Sequence, residues 1–186
     1  MLKVTSHGGS PVTLTEVKYQ LKLEDSFTDD DNLLQIMMDA ATQSLEAYCN
    51  SCFVTSTVEE VFDKFKRITC LGRSPLISVT SVEYYTSGSY STQSSSEYIV
   101  DTYSKPGRIQ ILDDYAIPST DNVINRQKVT YQSGYGAIGA VPDPIKQAVL
   151  VLVTEMYERR ENFVKRLPDY VQDLVRDYRY SNLGRA

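Results

Sequence analysis

Val129-Thr130-Tyr131-Gln132-Ser133-Gly134-Tyr135-Gly136-Ala137-Ile138-Gly139-Ala140-Val141-Pro142-Asp143-Pro144-Ile145 decides the fold class of this chain. Its first residues alternate apolar and polar, which predicts a strand over 126–132. The glycines then break the alternation. Asp143 suits a helix N-cap and Pro144 the first helical position, where its missing N–H costs nothing. Ile145, Ala148, Val149, Leu150, Val151, Leu152, Val153, Met156 and Tyr157 follow and are apolar nearly all round the helix, so this helix belongs at the buried centre of a helical layer. A strand that feeds such a helix through a glycine turn requires a mixed fold.

Toward the N-terminus, Thr13 and Glu16 form a capping box, and Val12 and Val17 stand at the staple positions. Leu14, Val17 and Leu21 share a face, predicting a helix over 14–22. A longer helix is expected from Thr28 to Tyr48. Asp29, Asp30 and Asp31 lie in its first turn, where the helix dipole favours negative charge, and Leu33, Leu34, Ile36, Met37, Ala40, Ala41, Leu45 and Tyr48 form its buried stripe. Between the helical ends, β-rich runs predict strands at 54–63, 76–85, 97–101 and 108–112 before the 126–132 strand. Ser87 to Ser96 is uncharged and low in complexity, and reads as a mobile loop at the tip of a hairpin. A last helical segment opens at Leu167-Pro168-Asp169, with Tyr170, Leu174 and Tyr178 on one stripe and Val171 and Val175 beside it. It either closes the core or offers an apolar face to a partner. The expectation is α+β: one domain over 1–186, with helices in 1–50, an antiparallel β insertion over 53–133, and helices completing the core over 142–180.

The chain has 186 residues, 41% of them apolar and 23% charged, enough to bury one core and unlike a disordered chain. Its net charge of −5 lies wholly in residues 1–50. That quarter holds Lys3, Lys18 and Lys22 against Glu16, Glu24, Asp25, Asp29, Asp30, Asp31, Asp39 and Glu46. An acidic chain without a basic stripe is a poor binder of the phosphate backbone. No apolar run approaches the roughly 18 residues that cross a bilayer, and no signal-peptide core is visible, so no membrane partner is expected. Three cysteines, an odd count, fit a reducing cytoplasm better than a disulfide framework.

Catalytic constellations are thin. Gly134 to Gly139 spells G-x-G-x-x-G, a dinucleotide-binding pattern, but prolines separate it from the helix and no second parallel strand follows. A flexible turn explains it as well. Cys49-Asn50-Ser51-Cys52 offers half of a zinc site or a redox pair, yet it follows a helix end, where the dipole raises thiol pKa values, and buried small thiols explain it. His7 is the only histidine, in a segment expected to be loose, so a Ser-His-acid or Cys-His set has little to work with. Neither catalytic residues, metal ligands nor cofactor are assigned. The fourteen tyrosines have no interleaved Lys or Arg, which suits packing and protein interfaces better than base stacking.

The order of several strings resembles the head-tail connector, or adaptor, proteins of long-tailed double-stranded DNA phages and prophages. These are Val12-Thr13-Leu14-Thr15-Glu16-Val17-Lys18 with Leu45-Glu46-Ala47-Tyr48; Arg73-Ser74-Pro75-Leu76 and Pro106-Gly107-Arg108-Ile109; Val129 to Gly136 leading into Pro142-Asp143-Pro144; Tyr157-Glu158-Arg159-Arg160-Glu161; and Leu167 to Leu174 with Tyr178-Arg179. Each is a packing or turn motif, and their shared order is the specific signal. The family often carries Trp in the last long helix and after the Pro-Gly-Arg turn, where this chain has Met156-Tyr157 and Tyr115. The resemblance implies a virion protein at the head-tail junction, assembled in the host cytoplasm as a homo-oligomeric, twelve-fold ring beneath the portal protein. Such a ring extends the DNA channel and offers a docking surface to a head-completion (stopper) or tail protein, with double-stranded DNA only as transiting cargo and no catalysis. It further implies docking by Leu167, Tyr170, Val171, Leu174 and Tyr178, a hinge at Gly134, Gly136 and Gly139, and a Ser87–Ser96 loop facing the channel or the tail side. Asp29, Asp30 and Asp31 are placed at the channel lumen, because a conduit lined by like charge lets the duplex slide. Two other readings stay open: a cofactor-binding enzyme built on Gly134 to Gly139, and an interaction module unconnected with any virus.

Overall fold

A computed structural model describes residues 1–64, 66–116, 118, 120–159 and 166–180. Two apolar cores share no residue. One lies among helices α1 (Leu14–Gln20), α2 (Asp31–Cys49), α3 (Asp143–Glu158) and α4 (Asp169–Val175). The other lies between two antiparallel sheets. The larger sheet has the order β1-β2-β8-β4-β5, formed by Leu2–Ser6, Ser56–Phe62, Gln127–Ser133, Leu76–Thr86 and Ser89–Thr92. The smaller has the order β3-β7-β6, formed by Ile68–Cys70, Arg108–Ile111 and Tyr98–Asp101.

The helices follow their local signals. The Glu16 amide donates to Thr13 Oγ1 at 3.2 Å and the Thr13 amide donates to Glu16 Oε2 at 2.6 Å, closing the capping box. Those bonds to the carboxylate hold the Glu16 pKa below its ordinary value, despite an opposing contribution from burial. Val12 and Val17 are buried beneath the box. In α3, Ile145, Ala148, Val149, Leu152 and Val153 are buried, so the all-round apolar helix is central. It starts one residue earlier than expected: Pro142 is the N-cap, and Asp143 and Pro144 occupy the first helical turn.

Several expectations are corrected. Helix α2 begins at Asp31, not Thr28, and Asp30 at its N-cap makes no side-chain capping bond. Tertiary contacts engage these acids instead: the Tyr157 hydroxyl donates to Asp30 Oδ2 at 2.7 Å, and Lys18 Nζ pairs with Asp31 Oδ1 at 2.7 Å. Ile36 is 66% exposed, because two residues of helix rotate it about 200° from buried Leu34; Met38 fills that face. The Ser87–Ser96 segment is not a simple loop. It turns at Ser87 and Gly88, both at positive φ, and returns as β5 on β4, followed by a short helical turn at Ser95–Glu97. Strands 76–85 and 97–101 therefore do not form one hairpin; they belong to different sheets. Residues Leu2–Ser6, for which no strand was expected, form β1 paired antiparallel to β2, with Leu2 opposite Glu60 and Val4 opposite Val58; the His7 segment that follows has no regular structure but is tied by hydrogen bonds.

Gly134 stands where the chain leaves β8 for the helical core. Its φ is +139°, and an added Cβ would lie 2.7 Å from the Val54 carbonyl oxygen and 2.8 Å from the Thr55 nitrogen. Gly139 has open space at the same position. Gly134→Ala should therefore destabilise the fold by about 2 kcal/mol or more, whereas Gly139→Ala should stay within about 0.5 kcal/mol of wild type. Urea unfolding of the two variants measures the contrast.

Candidate functional site

The two cores meet across a polar seam centred on Glu46, in the last turns of α2. Its side chain is 6% exposed, and both carboxylate oxygens are used. Oε1 accepts the Phe53 amide at 2.7 Å, and Oε2 lies 2.8 Å from His7 Nε2. The Gly9 amide donates to His7 Nδ1 at 3.0 Å, so Nδ1 is an acceptor and Nε2 carries the proton given to Glu46. The Glu46 carbonyl accepts Arg73 Nη1 at 2.8 Å. A buried carboxylate is tolerated only with such partners. One residue thus gathers the end of β1, the exit from α2 and the loop after β3.

The Arg73-Ser74-Pro75 loop completes the seam. The Cys52 amide donates to the Ser74 carbonyl at 3.1 Å, the Gly134 amide to the Pro75 carbonyl at 3.0 Å, and Ser133 Oγ to the same carbonyl at 2.9 Å. In the sheet core, Glu60 Oε2 accepts the Gly72 amide at 2.8 Å and the Tyr131 hydroxyl at 3.1 Å, while Tyr131 Oη accepts the Arg73 amide at 3.1 Å. Burial, reinforced by Glu60, holds the Tyr131 hydroxyl protonated far above its ordinary range. Gly107, in the Pro-Gly-Arg string, leaves no room for a side chain: its Cβ would sit 2.5 Å from Leu76 Cβ.

The residues expected to dock separate in the structure. Val171 and Val175 of α4 are buried in the helical core, and Leu167, Leu174 and Tyr178 pack half-buried against it. Tyr170 alone faces outward, 52% exposed, with its hydroxyl 2.5 Å from Glu155 Oε2; that bond raises its pKa. So α4 closes the core, one of the two roles the sequence allowed, and leaves one large side chain on the surface. Of the acids placed at the lumen, Asp29 is exposed, while Asp30 and Asp31 are tied to Tyr157 and Lys18. Of the hinge glycines, Gly134 and Gly136 bracket a tied corner, in which the Tyr135 amide donates to the Phe53 carbonyl and the Thr55 amide to the Gly136 carbonyl, both at 3.0 Å. Gly139 lies in a short helical turn at Ile138–Ala140. The space a Cβ would need at Gly134 is filled by protein backbone, and α3 begins beyond Pro142, so packing accounts for the G-x-G-x-x-G string.

Sequence reasoning missed a second surface. On the outer face of the small sheet, Ile68, Gln110 and Ile99 stand directly opposite one another, with both isoleucines 51% exposed, beside the Arg108–Asp101 pair at 2.7 Å. The strand alternation carried this signal, but β3 has only three residues and gives no pattern of its own. Cys49 and Cys52 are buried free thiols at the seam. Burial pushes Cys49 up to about 12 and Cys52 up to about 11, and the Glu46 carboxylate adds to both.

A model of the head completion protein family matches residues 12–166 of this chain. No curated protein matches it. Among solved structures, a chain described as the neck of an empty GTA particle with C6 symmetry is 20% identical, with a TM-score of 0.82 and 100% coverage of both chains. A chain from the virion of a native gene transfer agent (GTA) particle is 18% identical, with a TM-score of 0.79 over 98% of this chain and 96% of its own. A chain from the neck of the native GTA particle with C12 symmetry is 18% identical, with a TM-score of 0.75 and 100% coverage of both.

The thiols yield a test of the seam. With an Ellman-type reagent at pH 8, half-buried Cys70 should react in the native protein, and Cys49 and Cys52 only after unfolding. Because the fold retains protons that unfolded thiols release near pH 9, the thiol contribution to stability is complete below pH 9. It is lost as pH rises from there toward 12, and denaturant midpoints across that range read the loss.

Proposed function

This chain belongs to the head completion protein family, and on that footing we propose that it works as a structural head-tail connector of a phage-like virion, assembling as a ring beneath the portal. The observation that carries this reading is the end-to-end structural match to neck chains, which spans both cores and the seam between them at a TM-score of 0.82. Neck structures of six- and twelve-fold symmetry favour a ring, and we take twelve copies as its number. The activity is mechanical. The helical body and the sheet body are held at a fixed angle by directional hydrogen bonds, so a subunit seated on the portal presents a defined surface to the next head-completion or tail protein.

In this reading Tyr170 is the portal-facing anchor of α4, with Leu167, Val171, Leu174 and Tyr178 shaping the surface behind it. An exposed tyrosine held by its hydroxyl is pre-organised for an interface, since little rotamer entropy remains to be lost. Asp29 is the acid that borders the channel. Gly134, Gly136 and Gly139 carry the chain round the tied corner between the sheet body and α3, and so help to hold that angle. The buried acids and the seam histidine make structural bonds, in keeping with a mechanical role.

Mixing the purified protein with its cognate portal and imaging by electron microscopy should show an added ring. Portal particles left bare at high protein concentration overturn the proposal. Tyr170→Ala should keep the wild-type melting temperature within about 2 °C, as a surface change does, and weaken ring addition at least tenfold. Val171→Ala should instead cost about 2 kcal/mol of stability through the lost core methyls.

A further inference from the structure

The stretch that follows α4 crosses the seam. After a short helical turn at Arg176–Tyr178 the backbone extends at Arg179, and Tyr180 lies over the end of α2. The Tyr180 amide donates to the Cys49 carbonyl at 2.9 Å, and Asn50 Nδ2 donates to the Tyr180 carbonyl at 2.9 Å. The last carbonyls of a helix have no partner within it, so a stretch far along the chain caps α2 here. The Arg179 guanidinium stands 4.7 Å from the centre of the Tyr48 ring. Tyr178 meets Tyr135 edge to face, and the Tyr135 and Tyr180 hydroxyls lie 3.2 Å apart. Lys105 Nζ, from the connection between β6 and β7, lies 5.6 Å from the centre of the Tyr180 ring. Residues 178–180 thus reach the helical body at the end of α2, the glycine corner at Tyr135, and the sheet body at Lys105.

Three properties set this stretch apart from the rest of the seam. Arg179 and Tyr180 belong to neither apolar core, so polar and ring contacts fasten them. A segment held that way opens at a lower cost than the cores it spans. It also lies by one thiol and not the other. Cys49 is in the helical core and feels the Arg179 charge, whereas Cys52 is in the sheet core beside Arg73, Ser133 and Ser56. The two cysteines therefore report the two bodies separately. Finally, the stretch continues α4 directly. Tyr170 stands on the outer face at one end, Tyr180 sits on the seam at the other, and between them the Tyr48 hydroxyl donates to Gln172 Oε1 at 3.1 Å.

We propose that residues 178–180 are a latch, closed over the end of α2, that couples the outer face of α4 to the angle between the two bodies. A partner seated on Tyr170 binds the closed form better, because opening frees the last turn of α4 and with it the surface on which Tyr170 stands. The proposal rests on the portal-docking reading of α4 and gives that contact a conformational consequence. Such coupling is reciprocal: what opens the latch weakens docking, and docking closes the latch.

The test opens the latch in the full chain and reads thiol alkylation by mass spectrometry, with electron microscopy of rings on cognate portal. Arg179→Ala with Tyr180→Ala removes the ring contacts. Asn50→Gly removes the side-chain bond and keeps the left-handed backbone that Asn50 adopts at φ +53°. In each variant Cys49 should alkylate about tenfold faster than in wild type, with Cys52 still protected and circular dichroism unchanged. Ring addition should weaken about tenfold although Tyr170 is intact, and excess portal should slow Cys49 alkylation back toward the wild-type rate. Cys49 as protected as in wild type, Cys49 and Cys52 exposed together, or loss of the fold in both variants overturns the latch as a separable unit. Cys49 exposed with wild-type rings, or alkylation indifferent to portal, overturns the coupling while the connector role stands. Portal left bare by wild type overturns both.

Discussion

The carboxylate of Glu46 is the constraint on which the rest of the structure depends. Removed from water, it must be fully hydrogen-bonded, because an unpaired buried charge costs several kcal/mol. Its partners come from three separate stretches: His7 after β1, Phe53 after α2, and, through the Glu46 carbonyl, Arg73 after β3. The carboxylate and the carbonyl of this one residue thus help to fix the relation of the helical body to the sheet body. The apolar cores could not do this alone. They share no residue, and apolar contact is non-directional, so two greasy surfaces could slide where hydrogen bonds hold an angle.

The seam also explains why the resemblance to connector proteins lay in the order of short strings and not in any one of them. Leu45-Glu46-Ala47-Tyr48 carries the central carboxylate. Arg73-Ser74-Pro75-Leu76 supplies the loop that crosses it, Pro106-Gly107-Arg108 packs its glycine on Leu76, and Ser133-Gly134 donates to the Pro75 carbonyl. These strings are far apart in sequence and adjacent in space. Each is ordinary by itself; together they form one hydrogen-bonded junction.

What the sequence made legible were the elements with strong local signals. The Thr13–Glu16 capping box, the all-round apolar α3 and the longer strands of the β region follow from periodicity and capping alone. Strands β1, β3 and β5 were not expected, although β6 and β7, of four residues each, were: β3 has only three residues and β5 lies in a serine-rich run, and pairing to a neighbour makes all three strands. The division into two sheets was not legible either, since Tyr98–Asp101 pairs with Arg108–Ile111 through long-range register that no local pattern encodes. Nothing local marks Glu46 as a buried carboxylate, because its partner His7 is 39 residues away. The 167–178 segment was half legible. The stripe in 167–178 was real, but which side faced the core depended on α3, and the packing of Val171 and Val175 left Tyr170 outside.

The coupling of the two bodies through Glu46 is tested most directly by native-state hydrogen exchange of wild type and Glu46→Ala. Slowly exchanging amides in the helical core, at Leu45 and Val149, and in the sheet core, at Val58 and Val129, report the two bodies separately. The account predicts that the substitution lowers the opening free energy of both sets together, by about 3 kcal/mol, since the Phe53 amide and His7 lose their acceptor and the bodies lose their common anchor. Faster exchange confined to Phe53 and its immediate neighbours, with both cores unchanged, would contradict it.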